Sequence, residues 1–274
     1  MSVIQVGLVD KTGKLDSSLV ESTAAALNIQ VMRDLPQYWN VTATVRHLPN
    51  AKKIPAGVWP VFLVAQLPPG EGGVHLDKKN QPYSLVIGTP DNDDWTIDAS
   101  HETLEMLVDP YGNRLQSSRG IKIVGKGVED TTAEFEYLVE ACDPCEGNQY
   151  AYSVQGIAVS DFITPHFYDP VVTAGTRYSF GGNIKKPRQL LPGGYISFID
   201  PQKDEWEQIL FLGETPELHT LGSADGQRSL RVFVDGKTRE KVRGSRKPNQ
   251  TLTQSNRQHR EILEAGALKR ATLY

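Results

Sequence analysis

The residues best suited to chemistry lie in the stretch Trp95–Tyr111, which reads WTIDASHETLEMLVDPY. His101 and Glu105 are one helical turn apart, so on a helix they share one face at a separation of roughly 6 Å. An imidazole and a carboxylate placed in this way can bind one metal ion. Glu102 lies about 100° round the helix, where it can accept a proton from a water molecule. The spacing therefore predicts a metal-binding helix of the HExxE type.

Glu105 stands where the zinc motif HExxH has its second histidine. A site with one imidazole and two carboxylates leaves a divalent ion nearly neutral, so its bound water is less acidic than with two imidazoles. The sequence favours zinc, and it leaves manganese and calcium open. The alternative interpretation is a buried helix whose histidine and glutamates only form hydrogen bonds.

Three later carboxylates are candidates for the third ligand. Asp109 lies two turns, about 12 Å, beyond His101 on a straight helix, so we interpret it as a turn former before Pro110. The segment EFEYLVEACD predicts a second helix that would carry Glu140 towards the first. Glu140 is therefore the preferred third ligand and Asp143 the second choice, and for either the alternative is an ordinary surface carboxylate.

Other side chains are candidates for supporting roles. His75, on a short edge strand, either orients a substrate and polarises an oxyanion or faces solvent. Tyr111 and Tyr168 are candidate hydrogen-bond donors to a tetrahedral intermediate. His166 is a candidate orienting partner of Asp161, in an aromatic segment that we expect to pack behind the site.

The elements before the HExxE helix follow a simple order. Apolar runs predict strands and a long helix that ends at Pro36. In chain order these are strand 3–9, helix 19–35, and strands 41–48, 59–67, 74–77 and 83–88. This order predicts an α+β fold in which two helices pack beneath a mixed sheet, with an exposed edge strand beside the metal site.

This element order resembles the N-terminal half of the zincin metallopeptidases. The string ASHETLEMLVDPYGN also resembles the HExxE signature of bacterial proteins of unassigned function and of plant phosphate-induced (EXORDIUM-like) secreted proteins. In those families the block is followed, as here, by an E-x-x-D-x-C element ending at Cys145 and by a strand pair ending at Pro165 and Phe167. The similarity covers residues 20–170, just over half of the chain.

The resemblance implies a zincin-like mixed sheet with a long helix and an active-site helix. It implies a zinc site in which Glu140 supplies the third ligand, because zincins of the thermolysin type take a glutamate from a later helix. It also implies that the edge strand, VHLD at residues 74–77, aligns an extended peptide by main-chain pairing.

Composition limits the classes of partner. The chain has 274 residues, 39% of them hydrophobic, and a net charge of −4. This charge gives no case for nucleic acid or an anionic membrane. No stretch approaches the roughly 18 apolar residues of a membrane span, and residues 1–10 lack the basic start of a signal peptide. The sequence therefore predicts a cytoplasmic protein, with leaderless export left open.

The sequence predicts three regions. A zincin-like metal-binding domain covers residues 1–170 and a β-rich extension covers residues 171–236, including a predicted strand at 230–234. Residues 237–274 form a basic tail with a candidate helix at 257–273, suited to docking a protein partner. The Cys142 and Cys145 pair, in ACDPCE, is interpreted as a local turn.

Together these features predict metal-dependent hydrolysis of a peptide or protein substrate. His101, Glu105 and Glu140 would hold the metal, and Glu102 would deprotonate the attacking water. The alternative is a non-catalytic binding or assembly protein that keeps the zincin scaffold.

Overall fold

The computed structural model describes residues 3–49, 52–68 and 72–238. Within these residues the fold is α+β, with three α-helices, two five-stranded sheets and a short two-stranded hairpin. One continuous apolar cluster joins both large sheets and the first two helices. Among the described residues, no helix has the length and apolar character that a membrane span requires.

The first sheet has the strand order β2-β1-β3-β5-β4. Its strands are β1 (Ile4–Asp10), β2 (Ala43–His47), β3 (Val58–Val64), β4 (Gly73–Lys78) and β5 (Gln81–Ile87). The first three and β5 pair in parallel, whereas β4 pairs antiparallel with β5 and forms one edge. The predicted strand sequence and the predicted edge position of residues 74–77 are confirmed.

The long helix α1 (Ser17–Ile29) begins where the Asp16 side chain accepts a hydrogen bond from the Ser18 N–H, 2.8 Å away. The chain then widens into a π-helical turn at Gln30–Asp34, in which the Leu35 N–H donates to the Gln30 carbonyl five residues back. The predicted helix at 19–35 is confirmed, but its last turn is not α-helical.

The HExxE segment forms α2 (Trp95–Val108), and Pro110 follows its end as predicted. The helix begins at Trp95, directly after Asp94 at the N-cap position, so Asp98 and Ser100, two residues that could also cap a helix, lie within it. Every residue of α2 except Asp98 is buried. The helix is enclosed because β4 and β5 contact it on one side and a later hairpin contacts it on another.

The second sheet is antiparallel, with the order β12-β11-β10-β7-β6. The strands from residue 115 onward are β6 (Leu115–Val124), β7 (Gly127–Leu138), the hairpin β8 (Tyr152–Val154) and β9 (Ile157–Val159), then β10 (Tyr195–Asp200), β11 (Glu205–Leu210) and β12 (Glu217–Gly222). Because β10 pairs with β7, strands on both sides of residue 170 share one sheet.

Two predicted elements are wrong. The segment EFEYLVEACD is not a helix: residues 134–138 belong to β7, where Phe135 and Tyr137 are buried and Glu134 is exposed, in the two-residue alternation of a strand. The predicted strand at 230–234 lies in the helix α3 (Leu230–Thr238), whose buried residues recur at three- and four-residue spacing. Most of the predicted basic tail, including the candidate helix at 257–273, lies outside the described residues.

Candidate metal centre

Three buried side chains converge on one point beside α2. His101 Nε2 lies 3.2 Å from a carboxylate oxygen of Glu105 and 3.1 Å from a carboxylate oxygen of Asp143. One ligand atom from each of these residues lies within 4.8 Å of the other two. The group could therefore hold a metal ion through one nitrogen and two oxygens.

The turn after β7 brings Asp143 to this point. The Cys142 N–H donates to Glu105 Oε1 at 3.0 Å, which ties the turn directly to α2. Asp143–Cys145 forms one turn of 3₁₀-helix, and both cysteine thiols are free and buried. The interpretation of the cysteine pair as a local turn is confirmed.

A polar network fixes the turn of α2 that carries His101. Ser100, next to His101, donates its hydroxyl to Gln30 Oε1 at 2.8 Å and accepts a hydrogen bond from the Ser160 N–H at 2.9 Å. Gln30 lies in the π-helical turn and donates through Nε2 to the Ser160 carbonyl at 3.0 Å. Each of these polar groups is buried and satisfied, which holds the helix in one rotational position.

His75 reaches the centre from β4. Its Nε2 lies 3.0 Å from the Asp109 carbonyl and must donate to it, so Nδ1 faces the carboxylates of Glu102 and Glu105 at 3.6 and 3.7 Å. These three residues form a second group whose ligand atoms lie within 4.8 Å of one another. The interpretation of His75 as a solvent-facing strand histidine is therefore wrong, since the side chain is buried.

Gly73 allows β4 to lie close to the general-base candidate. A Cβ at this position would lie 2.6 Å from Glu102 Cγ, which is closer than two non-bonded carbon atoms can approach. The strand backbone and the glutamate side chain are in contact only because residue 73 has no side chain.

A cation that the sequence reasoning missed enters the centre from α3. Arg231 Nη1 lies 2.5 Å from Glu105 Oε2 and also contacts the Glu140 carboxylate. Nη2 lies 3.8 Å from Glu102, and Nε lies 3.4 Å from Asp235. The only sequence signal for this burial is that the arginine stands in an apolar run, LRVFV.

The two candidates for the third ligand have different surroundings. Asp143, the second choice, lies beside His101 and Glu105, whereas Glu140 belongs to neither of the two groups found among the described residues. Glu140 directs its carboxylate at Arg231 instead. The geometry therefore favours Asp143 over Glu140.

The other predicted residues are not members of either group in the described chain. Asp109 accepts a hydrogen bond from the Arg114 N–H at 2.7 Å, which confirms its interpretation as a turn former. Tyr111 is exposed. His166 is half-exposed and pairs with Asp169 at 2.8 Å, so its predicted pairing with Asp161 is wrong. The buried Tyr168 is not part of either metal-binding group in the described chain.

Burial and charge shift the protonation of the centre strongly. Burial, together with the negative charge of Glu105, raises the pKa of Asp143 to about 8. Burial lowers the pKa of His101, but Glu105 and Asp143 outweigh it, so that pKa lies well above its usual value. Burial likewise raises the pKa of Glu105, and the cations Arg231 and His101 outweigh it and bring the pKa well below its usual value.

The centre holds more buried acceptors than the described chain satisfies. Glu102 Oε2 and Asp143 Oδ2 have no hydrogen-bond partner among the described residues. Desolvated carboxylates are costly unless a cation or hydrogen-bond donor balances them. His75 Nδ1 also lacks a hydrogen-bond partner there. A nitrogen and several oxygens of this kind are ligands that suit a divalent cation.

The chain matches no family model, no curated protein and no solved structure. The resemblance to zincins therefore stays a prediction, and the geometry of the metal centre is the basis for assigning a function.

Proposed function

We propose that this protein is a zinc-dependent hydrolase that cleaves peptide bonds. The observation that carries the proposal is the convergence of His101 Nε2, Glu105 and Asp143 at 3.1–3.2 Å beside a further carboxylate, Glu102, that has an unbonded oxygen. This combination supplies both the ligands and the proton acceptor that metal-assisted hydrolysis requires.

His101, Glu105 and Asp143 would hold the ion. A zinc ion bound there would supply Lewis-acid polarisation of a carbonyl group and would lower the pKa of a water molecule. Two carboxylate ligands also suit harder ions, so manganese and calcium belong in the same test.

The protein's own side chains would move the proton. Glu102 is adjacent to His101 in sequence and has a buried oxygen free to accept a proton from the attacking water. The same carboxyl group would then return the proton to the leaving amine. His75 is held by the Asp109 carbonyl at 3.0 Å and keeps its second nitrogen 3.6 Å from Glu102 Oε2, beside the proposed path of the proton.

A peptide is the substrate that the surrounding fold favours. β4 is an edge strand and pairs only with β5 in the first sheet of the described chain. The free side of an edge strand can pair with an extended peptide through main-chain hydrogen bonds. His75 and Gly73 on this strand contact the centre, so a peptide aligned on β4 would pass beside Glu102.

The test combines metal content with peptide cleavage. The wild-type protein, purified without chelator, is compared with His101→Ala, Glu105→Ala and Glu102→Gln after incubation with excess zinc, manganese or calcium. We expect near-stoichiometric zinc in the wild type and in Glu102→Gln, and its loss in the other two variants. Cleavage of a peptide mixture should fall by roughly 10²–10⁴-fold in Glu102→Gln.

His166→Ala is the matched control, because this histidine is half-exposed and pairs with Asp169 away from the centre. It should retain metal and cleavage. Absence of bound metal in the wild type at excess zinc, manganese and calcium would contradict the proposal.

A second candidate function has one specific observation in its favour. Arg231 already places a positive charge against Glu105 and Glu140. In a non-catalytic binding protein this ion pair would replace the metal permanently. In that case Glu102→Gln would change only the stability of the fold, measured by urea unfolding, and no variant would bind metal.

A further inference from the structure

We infer that α3 is an internal inhibitor of the metal centre: its Arg231 guanidinium holds the place of the metal's positive charge, and undocking of α3 opens the site. This inference rests on the proposed function, since it concerns the regulation of that same centre.

The first argument is competition for one oxygen. Glu105 Oε2 lies 3.2 Å from His101 Nε2 and is the oxygen that faces the predicted ion. The same atom lies 2.5 Å from Arg231 Nη1. A divalent cation bound to this oxygen would lie close to the guanidinium, and two positive charges repel each other strongly in a buried site. Docked α3 therefore weakens metal binding, and bound metal weakens the docking of α3.

The second argument is access. With α3 docked, the exposed fractions of His101, Glu102, Glu105 and Asp143 lie between 0% and 3%. No peptide can reach a carboxylate that is covered to this degree. Arg231 contacts two of these carboxylates, Glu102 and Glu105, and also the neighbouring Glu140, so α3 is an element whose departure would expose them.

The third argument is that α3 is held by few contacts. Of the nine described residues of α3, Arg231, Val234 and Thr238 are buried, and Leu230 and Phe233 are only partly buried. Val234 joins a small apolar cluster with Leu138, Trp206 and Leu221, separate from the main core. A short element with so little buried surface can undock at a lower free energy than global unfolding requires.

The contacts that position the first turn of α3 are nevertheless specific. The Arg231 N–H donates to the Gly112 carbonyl at 3.0 Å, and the Leu230 N–H donates to Asn113 Oδ1 at 2.9 Å. A Cβ at Gly112 would stand 2.7 Å from Arg231 Cβ, and its φ of +64° also favours glycine. The turn after α2 is therefore shaped to receive the first turn of α3, so the docked state is a defined conformation.

The test measures zinc affinity on the full chain by competition with a chromophoric chelator. Arg231→Gln removes the competing charge, and Val234→Ala loosens α3 while it keeps the arginine. If the docked state dominates, Arg231→Gln should bind zinc roughly tenfold more tightly than the wild type or better. Val234→Ala should shift the affinity in the same direction. Arg228→Gln, at an exposed position just before α3, should not change it.

A second measurement follows α3 itself. Hydrogen exchange of the α3 amides in the wild type should accelerate when zinc binds, whereas exchange in β1 and β3 should stay the same. In Arg231→Gln the α3 amides should exchange rapidly with or without zinc.

The outcomes separate the inference from the proposed function. Zinc binding that depends on His101 but is no tighter in Arg231→Gln and Val234→Ala would overturn the inference and leave the metal centre standing. Zinc binding by none of the chains would overturn both. If Arg231→Gln does not fold, Val234→Ala decides by the same criterion.

Discussion

Two buried arginines of this protein have opposite surroundings. Arg188, from the irregular stretch between β9 and β10, bonds both carboxylate oxygens of Asp130 through Nε and Nη2, at 3.0 and 2.8 Å. Its Nη1 donates to the Ser118 hydroxyl at 2.6 Å and to the Asp169 carbonyl at 2.5 Å. The fork of the guanidinium is thus matched by acceptors on both sides, and its bidentate contact with the partly exposed Asp130 is the geometry of a strong charge-assisted hydrogen-bonded pair.

Arg231 has no such fit. Its Nη1 is shared by Glu105 and Glu140, and its Nε has no hydrogen-bond partner among the described residues. Burial raises the pKa of Glu140 well above its usual value although Arg231 lowers it, because one cation cannot balance several buried carboxylates. The difference in hydrogen bonding indicates that Arg188 stabilises the fold, whereas Arg231 supplies a positive charge that another cation can replace.

The sharpest test of this contrast is Arg188→Met. Removing the cation takes away four hydrogen bonds of a fully buried side chain, although Asp130 itself is partly exposed to water, so we expect a loss of about 3–4 kcal/mol in the free energy of unfolding. Urea unfolding followed by circular dichroism measures it. Added zinc should not restore the free energy of unfolding of this variant. Recovery of stability with zinc would show that Arg188, like Arg231, can be replaced by a metal ion.

Arg231→Gln should destabilise the zinc-free protein less, by about 1–3 kcal/mol, because α3 can undock and let water solvate the carboxylates. Saturating zinc should recover this loss by binding the native state. The measurement is urea unfolding with and without zinc. A loss as large as that of Arg188→Met, unchanged by zinc, would assign Arg231 a purely structural role.

The pH dependence of zinc binding tests whether Asp143 is a ligand. Its pKa is about 8 and that of His101 lies well above its usual value, and both groups must lose a proton to bind metal. Protons compete less for these groups as pH rises through these values, so zinc affinity should be weaker at pH 6.5 than at pH 8.5 by at least roughly 20-fold. Asp143→Asn should bind zinc more weakly and with a shallower pH dependence; an unchanged slope would exclude Asp143.

The smallest expected effect is that of Arg228→Gln. The Arg228 side chain is exposed and lies 3.5 Å from Asp77, so the pair should contribute less than about 0.5 kcal/mol to the free energy of unfolding. Urea unfolding beside the two buried variants gives the baseline. A larger loss would mean that the segment before α3, and not Arg231, anchors the helix.

The sequence alone predicted the parts whose signals are local. α2 was predictable because its apolar residues, its early acidic residue and Pro110 all lie within one stretch. The strand order of the first sheet followed from short apolar runs separated by polar turns. The neighbouring positions of His101, Glu102 and Glu105 needed only the geometry of a helix.

The remainder of the centre depends on contacts between distant residues. Arg231 meets Glu105 across 126 positions of sequence, and no local periodicity reports such a pairing. The preference for Glu140 over Asp143 depends on a predicted helix that the fold does not contain, because residues 134–138 are part of strand β7. For His75 the sequence leaves open a role in the site and exposure to solvent, because the approach of its ring to Glu102 and Glu105 appears only in the folded chain.

The π-helical turn at Gln30–Asp34 makes a helix length far from α2 relevant to the position of His101. A π turn holds one residue more than an α turn. If the residue lost from this turn were Gln30, the helix would become regular, and Ser100 and the Ser160 carbonyl would lose the amide that bonds both. In a relative of this chain, a single-residue gap at Gln30 should therefore disturb α2 beside His101, although it lies seventy positions away from Ser100.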